Sequence, residues 1–325
     1  MAARSSLAHS EGRAKLIGLR AVEGRMKTRI IGTSAAATFL ALAGCSPAGP
    51  VEGEGEMAMA SPAVETLTQS LTFHAPFDDG PDAVFAKSDR RIYTAPSYDE
   101  QDQAIPGIGN PDVEIVEGGR FGHALKFSKK NVHAVFYRAA GNAGFTEGNW
   151  TGSVSFWLSL NPDEDLEPGY CDPIQITDAA YNNSAVWVDF TKDDTPRHFR
   201  LGVFGDLKAW NHEDIPPNDN PDFLGRLVTV EKPPFARGKW THIVATYSGL
   251  GTGSGEAKLY IDGALQGASE GIGEAFTWDM EKSAFRLGVN YVGLFDEAAL
   301  FDRALSQEEV TALHELEAGV AELHP

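Results

Sequence analysis

The sequence is poor in cysteine and in positive charge, and both shortages exclude classes of protein. Its 325 residues contain only 2 Cys, too few for a disulfide framework or a four-cysteine zinc site. Lys and Arg number 27 against 46 Asp and Glu, which gives a formal net charge of -19. Because nucleic-acid binding needs clustered Lys and Arg to displace counterions, we expect no nucleic-acid partner.

Long apolar runs are also missing from the chain. The longest candidate, residues 30–44, follows the basic stretch at residues 26–29 and ends in small residues. It is shorter than the ~20 apolar residues that span a bilayer, so it predicts a signal peptide over residues 26–44 rather than a permanent membrane helix. Residues 1–25 precede that charged stretch, and we interpret them as an artefact of an upstream start site.

The end of the apolar run carries a second signal. Leu42-Ala43-Gly44-Cys45 resembles the lipobox of bacterial lipoproteins. That resemblance implies lipidation of Cys45, export, and anchoring to the cell envelope, at the outer membrane if the source has one, because Ser46 follows the cysteine. Several acyl chains on one residue anchor stably. The alternative is a secreted protein in which Cys45 has no such role.

Two kinds of pattern divide the remaining chain. Residues 45–66 are rich in Gly, Pro, Ala and Glu without apolar periodicity, which predicts a flexible tether after the cysteine. From residue 67 to 325, short runs of alternating apolar and polar residues recur between Gly, Pro, Asn and Asp. This period of two predicts an all-β fold, in which two antiparallel sheets pack on each other as a sandwich.

Two local motifs refine that prediction. Asp262-Gly263 separates two short apolar runs and predicts a two-residue hairpin of type I′. Ser306-Gln307-Glu308-Glu309 is a capping box, and the residues after it have apolar positions at helical spacing. We therefore expect a short closing helix over residues 306–318.

Five separated pieces of sequence occur in a recognisable order, residues 119–127, 153–158, 240–247, 258–263 and 292–305. Together they resemble the laminin-G-like branch of the concanavalin A-like lectin/glucanase superfamily, over roughly residues 70–318. The similarity to the family's last strand and helix entry is carried by Gly293–Ser306. The resemblance implies the jelly-roll fold and leaves three functions open, because the superfamily includes binding modules, adhesins and enzymes.

The glucanase branch of the superfamily has a Glu-x-Asp-x-x-Glu strand motif, because a retaining glycosidase needs two carboxylates close together across the substrate. This sequence has no such motif. The nearest acidic string, residues 163–167, is bracketed by Pro162 and Pro168 and is better interpreted as a solvated loop. Catalysis by a polysaccharide hydrolase or lyase therefore remains an alternative without a motif to support it.

A carbohydrate site needs flat aromatic faces and a few polar side chains. Alternation places such residues on the polar faces of three predicted strands. If these strands share a sheet, they form one ligand-binding surface for an extracellular glycan or protein, made by Trp157, Trp187, Asp189, Arg200 and Trp210. The alternative is that long loops cover these tryptophans, since residues 161–173 and 206–221 are polar insertions relative to the compact family pattern.

The laminin-G-like resemblance also implies a structural Ca²⁺ held by carboxylates of the first and last strands. In this sequence those positions are Asp78, Asp79, Asp296 and Glu297. Hard oxygen ligands suit that ion. The alternative is that Asp78 and Asp79 shape a turn and that Asp296 pairs with Arg303.

Three functional hypotheses therefore follow from the sequence. The first is a surface-anchored lipoprotein module that binds carbohydrate or another extracellular ligand without catalysis. The second is a polysaccharide-active enzyme on the same fold. The third is a structural or adhesion protein of the envelope that contacts other proteins.

Overall fold

The computed structural model describes residues 61–130 and 132–324. The predicted signal peptide, Cys45 and most of the predicted tether lie outside the described residues. The strands, in chain order, are β1 (Leu71–Ala75), β2 (Phe85–Ala86), β3 (Ile92–Ala95), β4 (Ile105–Pro106), β5 (Val113–Glu117), β6 (His123–Phe127), β7 (Ala134–Arg138), β8 (Trp150–Ser159), β9 (Cys171–Thr177), β10 (Ala185–Phe190), β11 (Phe199–Phe204), β12 (Val228–Val230), β13 (Thr241–Leu250), β14 (Gly255–Ile261), β15 (Ala264–Ile272), β16 (Ala284–Val289) and β17 (Gly293–Phe301).

The helices are short. The α-helices are α1 (Pro62–Ser70), α2 (Pro162–Asp165), α3 (Leu207–Trp210), α4 (Pro221–Gly225) and α5 (Gln307–Glu315), and the 3₁₀ helices are Tyr98–Gln103, Pro217–Asp219 and Gly319–Leu323. Within the described residues, no helix is both long and apolar enough to cross a membrane.

The strands form two antiparallel sheets, as the sequence predicts. Sheet A has the order β15-β14-β13-β8-β17-β1-β2, with β6 paired to β17 and β5 paired to β6. Sheet B has the order β12-β11-β10-β9-β16-β7-β3-β4. The main hydrophobic core lies between them and takes alternate residues from strands of both sheets, such as Phe156 and Leu158 of β8 and Val186 and Val188 of β10. The prediction of an all-β sandwich is confirmed.

The two local motifs take the predicted conformations. Asp262 and Gly263 have φ angles of 48° and 78°, and the type I′ turn requires positive φ at both positions. The Ser306 side chain accepts a hydrogen bond from the Glu309 N–H, and the Glu309 side chain accepts one from the Ser306 N–H. The helix that follows is shorter than expected, because α5 ends at Glu315 and a separate 3₁₀ helix follows it.

Residues 62–66 form the first turns of α1, so the prediction of a tether that extends to residue 66 is wrong for these residues. The Ser61 side chain caps the helix by accepting a hydrogen bond from the Val64 N–H. Pro62 occupies the first turn, where the N–H group that proline lacks would have no partner within the helix. The buried Leu67 and Leu71 pack with α5 on the outer face of sheet A. α1 is a stable helix because it buries apolar side chains against α5. The composition of residues 45–66 alone does not predict this contact.

Candidate functional site

A pocket of about 180 Å³ opens on the outer face of sheet B, over strands β9, β10 and β11. Three residues predicted from the sequence, Trp187, Asp189 and Arg200, line this pocket together. Their neighbours along β10 and β11 point into the core, in agreement with the predicted alternation of faces. We call this site the Trp187 pocket.

Asp189 and Arg200 face each other across the β10–β11 ladder. Arg200 Nε donates to Asp189 Oδ1 at 2.8 Å, and Arg200 Nη2 donates to Asp189 Oδ2, so that the pair is bidentate. Both side chains are almost fully buried. The fork geometry fixes the orientation of both groups and neutralises the guanidinium charge.

Trp187 forms the floor of the pocket and is 1% exposed. It lies directly across the ladder from Gly202, where an added Cβ would stand 2.1 Å from the indole Cζ2 atom. The absence of a side chain at Gly202 therefore allows the ring to lie over β11. The Nε1–H group of Trp187 is buried and has no hydrogen-bond partner among the described residues. A buried donor without a partner is rare and costly, which points to a ligand or a water at this position.

The walls of the pocket come from the two insertions and the segments that follow them. Tyr170 belongs to the first insertion, and its hydroxyl donates to Asn218 Oδ1 of the second insertion at 3.0 Å. The Tyr170 ring also stands over the Arg200 guanidinium at 5.2 Å. Phe223 of α4 stacks with Trp187 at 6.3 Å. The insertions thus build the rim of the site.

Asp172 is a second buried carboxylate in the pocket. Its Oδ2 atom accepts a hydrogen bond from Gln175 Nε2 at 2.5 Å. Burial, reinforced by the nearby charge of Asp189, raises the pKa of Asp172 to about 8. Asp172 therefore holds a proton over much of the neutral range, whereas Asp189 is paired with Arg200.

Trp210 lies beside the pocket without lining it. It ends α3 and is buried against Phe204 and Phe223 in an aromatic cluster on the outer face of sheet B. Its Nε1 donates to the Asn182 carbonyl at 3.0 Å. In this position Trp210 supports Phe223 and contacts a pocket wall rather than the pocket itself.

The structure separates Trp157 from the other predicted residues. Trp157 lies on β8 in sheet A, so the premise that the three strands share a sheet is wrong, and the predicted continuous surface does not form. Its ring stacks on His242 of β13 at 4.6 Å and on His314 of α5 at 5.4 Å, with the Arg120 guanidinium 4.7 Å above it. The side chain is 4% exposed. Alternation predicts the face of a strand, and strand pairing decides which sheet that face belongs to.

Among the predicted calcium ligands, Asp78 and Asp79 lie just after β1 and are exposed. Asp78 Oδ1 accepts a hydrogen bond from the His123 N–H at 2.7 Å. Through this bond, Asp78 contacts the turn that joins β5 to β6.

Asp296 and Glu297 lie in β17 and are buried. Asp296 accepts hydrogen bonds from the backbone N–H groups of residues 120–121 and of Glu297. Glu297 Oε1 lies 3.0 Å from His74 Nε2, and its Oε2 accepts from the Val320 N–H. Burial and the adjacent Glu297 charge raise the pKa of Asp296 to about 8.

The donor chemistry of these four carboxylates suits calcium, but the arrangement does not form a ligand shell. Among the described residues, no group of three or more His, Cys, Asp or Glu side chains is placed to hold a metal ion. Protein N–H groups already occupy oxygens of Asp78, Asp296 and Glu297. Calcium binding stays a prediction from the sequence.

Sequence reasoning missed the contribution of β9 to the pocket. Asp172 and Gln175 belong to this strand, whose first three residues fall inside the predicted insertion over residues 161–173. Ile174 and Ile176 alternate with Gln175, and that short alternation was the available signal. Tyr181 and Phe223 were also missed, because they lie in loop and helical segments that carry no periodic pattern.

A laminin-G-like family model, described as the concanavalin A-like lectin/glucanases superfamily, matches residues 135–311, more than half of the chain. No curated protein matches the chain.

Among solved structures, domain 4 of AbnA, a GH43 extracellular arabinanase from Geobacillus stearothermophilus, in complex with arabinotriose, is 18% identical over 76% of this chain and 98% of its own, with a TM-score of 0.48. The ligand binding domain of botulinum neurotoxin serotype D, in complex with N-acetylneuraminic acid, is 12% identical over 78% of this chain and 52% of its own, with a TM-score of 0.50. Trypanosoma rangeli sialidase is 12% identical over 76% of this chain and 32% of its own, with a TM-score of 0.42.

At these identities the neurotoxin domain supports the fold alone, and this chain spans about half of its length. The family match and the two packed antiparallel sheets agree with the resemblance found in the sequence. The chain belongs to the concanavalin A-like lectin/glucanase superfamily.

Proposed function

We propose that the Trp187 pocket binds a neutral carbohydrate and that the protein is a glycan-binding module. The observation that carries this proposal is the buried Nε1–H of Trp187, which has no partner within the described part of the chain and belongs to a residue that lines an aromatic pocket. A sugar hydroxyl is a suitable acceptor for that donor. The volume of about 180 Å³ is below the roughly 300–1,000 Å³ of clefts for drug-sized ligands, which suits one sugar ring.

The walls of the pocket have the mixed chemistry that a sugar requires. Tyr170, Tyr181, Trp187 and Phe223 supply aromatic surface against which the C–H groups of a sugar ring pack. Asp172 and Asn218 supply polar atoms near this surface for hydroxyl groups. A few placed polar groups among aromatic walls are typical of small-ligand sites.

The charges of the pocket favour a neutral sugar over an acidic one. Arg200 is the cation that lines the pocket, and Asp189 already neutralises it through a bidentate pair. The Asp172 carboxyl group is either protonated and neutral or ionised and negatively charged, depending on pH. An anionic sugar would therefore meet no unpaired positive charge and would face a carboxylate.

Affinity electrophoresis in gels containing single polysaccharides tests the proposal. The panel holds the neutral polymers arabinan, xylan, mannan and β-glucan and the acidic polymers alginate and polygalacturonate. We expect retardation by at least one neutral polymer and none by the acidic ones. Trp187→Phe keeps the aromatic surface but removes Nε1–H, and it should weaken binding roughly five- to tenfold.

Trp157→Phe is the matched control, because it makes the same change on the opposite sheet. It should leave retardation unchanged, and circular dichroism melts should show that both variants fold. Equal effects of the two substitutions, or binding of acidic polymers alone, would contradict the proposal. Silence across the panel would favour a protein partner and the structural or adhesion hypothesis.

One observation favours an enzyme as the second candidate function. Asp172 and Asp189 line one pocket, and burial raises the pKa of both carboxyl groups, that of Asp172 to about 8, while Asp189 is also paired with Arg200. Two carboxyl groups in one pocket, of which one is ion-paired and the other is not, can take the roles of base and acid. Release of reducing ends from the neutral polymers, abolished by Asp172→Asn, would assign a hydrolase.

We also propose that the protein is exported and anchored to the cell envelope through lipidated Cys45. The support is the order of basic stretch, apolar run and Leu42–Cys45 in the sequence. Phase partitioning of the cell-expressed full chain in Triton X-114 tests it. The native chain should enter the detergent phase, and Cys45→Ala should remain in the aqueous phase.

A further inference from the structure

A second cavity, of about 400 Å³, opens on the outer face of sheet B beyond the Trp187 pocket. We call it the Arg286 cavity, and the residues that matter here are Tyr98, Gln101, Asp178, Lys282 and Arg286. Arg286 comes from β16, and Tyr98 and Gln101 come from the 3₁₀ helix before β4. None of the residues that line this cavity also lines the Trp187 pocket.

Arg286 is 3% exposed and bonds to neutral oxygens. Its Nε donates to Gln101 Oε1 at 3.3 Å, its Nη1 to Gln175 Oε1 at 3.1 Å, and its Nη2 to the Ala179 carbonyl at 3.0 Å. These three bonds use three of the five guanidinium N–H groups. Arg286 also lines the cavity.

Two more polar atoms at the cavity have no partner in the described residues. They are the hydroxyl oxygen of Tyr98 and the Oδ1 atom of Asp178, and both are buried. Buried polar atoms of this kind are normally hydrogen-bonded to protein, to water or to a ligand. A buried donor and a buried acceptor without partners at one cavity fit a molecule rich in hydroxyl groups, because a hydroxyl group both accepts and donates hydrogen bonds.

The charges of the Arg286 cavity also favour a neutral molecule. Asp99, Asp102 and Asp178 line it together with Lys282 and Arg286. Lys282 is paired with Asp279. The three carboxylates would repel an anion, so the positive charge of Arg286 does not by itself predict an acidic ligand.

Gln175 connects the two cavities. In the register of sheet B it lies opposite Trp187 on one side and opposite Arg286 on the other. Its side chain accepts from Arg286 Nη1 and donates to Asp172 Oδ2 in the Trp187 pocket. Since neighbouring strands are about 4.8 Å apart, Trp187 and Arg286 lie roughly 10 Å apart across the face. A short oligosaccharide spans that distance, whereas one sugar ring does not.

We propose that the Arg286 cavity is a second subsite for the same neutral glycan, so that the protein recognises an oligosaccharide with one ring at Trp187 and another at Arg286. This inference rests on the proposed function of the Trp187 pocket. Gln175 marks the junction between the two rings. Tyr98 and Asp178 would form hydrogen bonds with the second sugar ring. A single ring bound in the Trp187 pocket would be too far away to contact them.

Isothermal titration with arabino-, xylo- and cello-oligosaccharides, from monomer to pentamer, tests this inference. For the series that binds, affinity should rise between the monomer and the trimer. Tyr98→Phe and Asp178→Ala should each lower the affinity for the longer members roughly three- to tenfold. Neither variant should change monomer binding by more than about twofold, because the Trp187 pocket is untouched.

Tyr98→Phe removes a hydroxyl without a partner, so the variant should melt at or above the wild-type temperature. Tyr93→Phe is the matched control on the same sheet, since the Tyr93 hydroxyl donates to Asp89 outside both cavities. Monomer binding without any gain with length, or a gain that survives both variants, would overturn the second subsite and leave the first intact. No binding by any member would overturn the proposed function and this inference together.

Discussion

Asp172 and Asp189 are two buried carboxylates near one guanidinium. Arg200 gives its fork to Asp189, and Asp172 receives a hydrogen bond from the neutral amide of Gln175. The pKa of Asp172 rises to about 8 because burial, and then the charge of Asp189, disfavour its ionised form. Because Arg200 pairs with Asp189 alone, the pocket contains one ion-paired carboxylate, Asp189, and one carboxyl group that can hold a proton, Asp172.

The free energy of unfolding should fall as pH rises from about 4 to about 8, because the unfolded chain ionises at Asp172 before the folded protein does. The pKa of Asp172 is higher in the folded state than the ordinary 3.8, so its contribution is fully present below pH 4 and is lost as pH rises through about 8. We expect Asp172→Asn to gain stability relative to the wild type between pH 4 and pH 8, by at least about 1.4 kcal/mol, the equivalent of one pKa unit. Urea denaturation at both pH values measures the difference.

Asp193→Asn is the control for that experiment, because the Asp193 side chain is 79% exposed. Its free energy of unfolding should follow the wild type at both pH values. An Asp172→Asn curve parallel to the wild type would show that the carboxyl group ionises normally in the folded protein.

Helix α5 closes the outer face of sheet A over a stack of rings. His314 of α5 lies 5.4 Å from His242 of β13, and Trp157 of β8 stacks on both. His242 Nε2 lies 2.8 Å from Ser155 Oγ. Burial, then the charges of His314 and Arg120, lower the pKa of His242 to about 3. The His242 ring in this stack is therefore neutral near pH 7.

Acid should weaken the packing of α5 through His242. The folded-state pKa of about 3 lies below the ordinary 6.5, so this contribution to stability is present above pH 6.5 and is lost as pH falls toward 3. Each pH unit in that window costs about 1.4 kcal/mol at most. We expect His242→Gln to lose less stability between pH 7 and pH 5 than the wild type, as measured by urea midpoints.

His212→Gln provides the comparison, because the His212 side chain is 78% exposed. Its acid sensitivity should equal that of the wild type. If His242→Gln shows the same acid loss as the wild type, the histidine stack does not govern the stability of the helix contact.

The two insertions act as structural elements of the site. Residues 161–173 contain α2 and bring Tyr170 against Arg200 of β11, while residues 206–221 contain α3 and the 3₁₀ helix at Pro217–Asp219. The hydrogen bond from Tyr170 to Asn218 joins the two insertions above the pocket. The polar sequence of the two insertions predicts loops. Because the insertions contact each other, they form the rim of the Trp187 pocket.

The whole molecule is strongly acidic, and several of its carboxylates are buried. Asp172 and Asp296 both have a pKa raised to about 8 by burial. Buried acids without a full positive partner cost free energy when they ionise. Asp296 is also one of the predicted calcium ligands, so the calcium prediction can be tested through the stability of the folded protein.

Calcium is tested by thermal melting of the full domain. If the prediction from the sequence holds, calcium at 100 times its Kd adds about 2.7 kcal/mol and raises Tm by roughly 5–10 °C. EGTA should reverse the rise, and Asp296→Asn should abolish it. Melting curves unchanged by calcium would show that protein N–H groups suffice for these carboxylates.

The two-sheet fold and the faces of its strands follow from local patterns in the sequence. A period of two places every second side chain on one face, so Trp187, Asp189 and Arg200 were correctly predicted to face away from the core. The capping box and the Asp262-Gly263 turn were also predicted, because their geometry depends on a few adjacent residues.

Which of these faces meet depends on the pairing of strands in the folded chain. Strand pairing joins residues far apart in the chain, and local alternation contains no information about the partner strand. The order of the sheets placed Trp157 of β8 in sheet A, beneath α5, and placed Asp172 and Gln175 of β9 beside Trp187. The pocket therefore depends on long-range pairing, whereas each of its side chains depends on the alternation of its own strand.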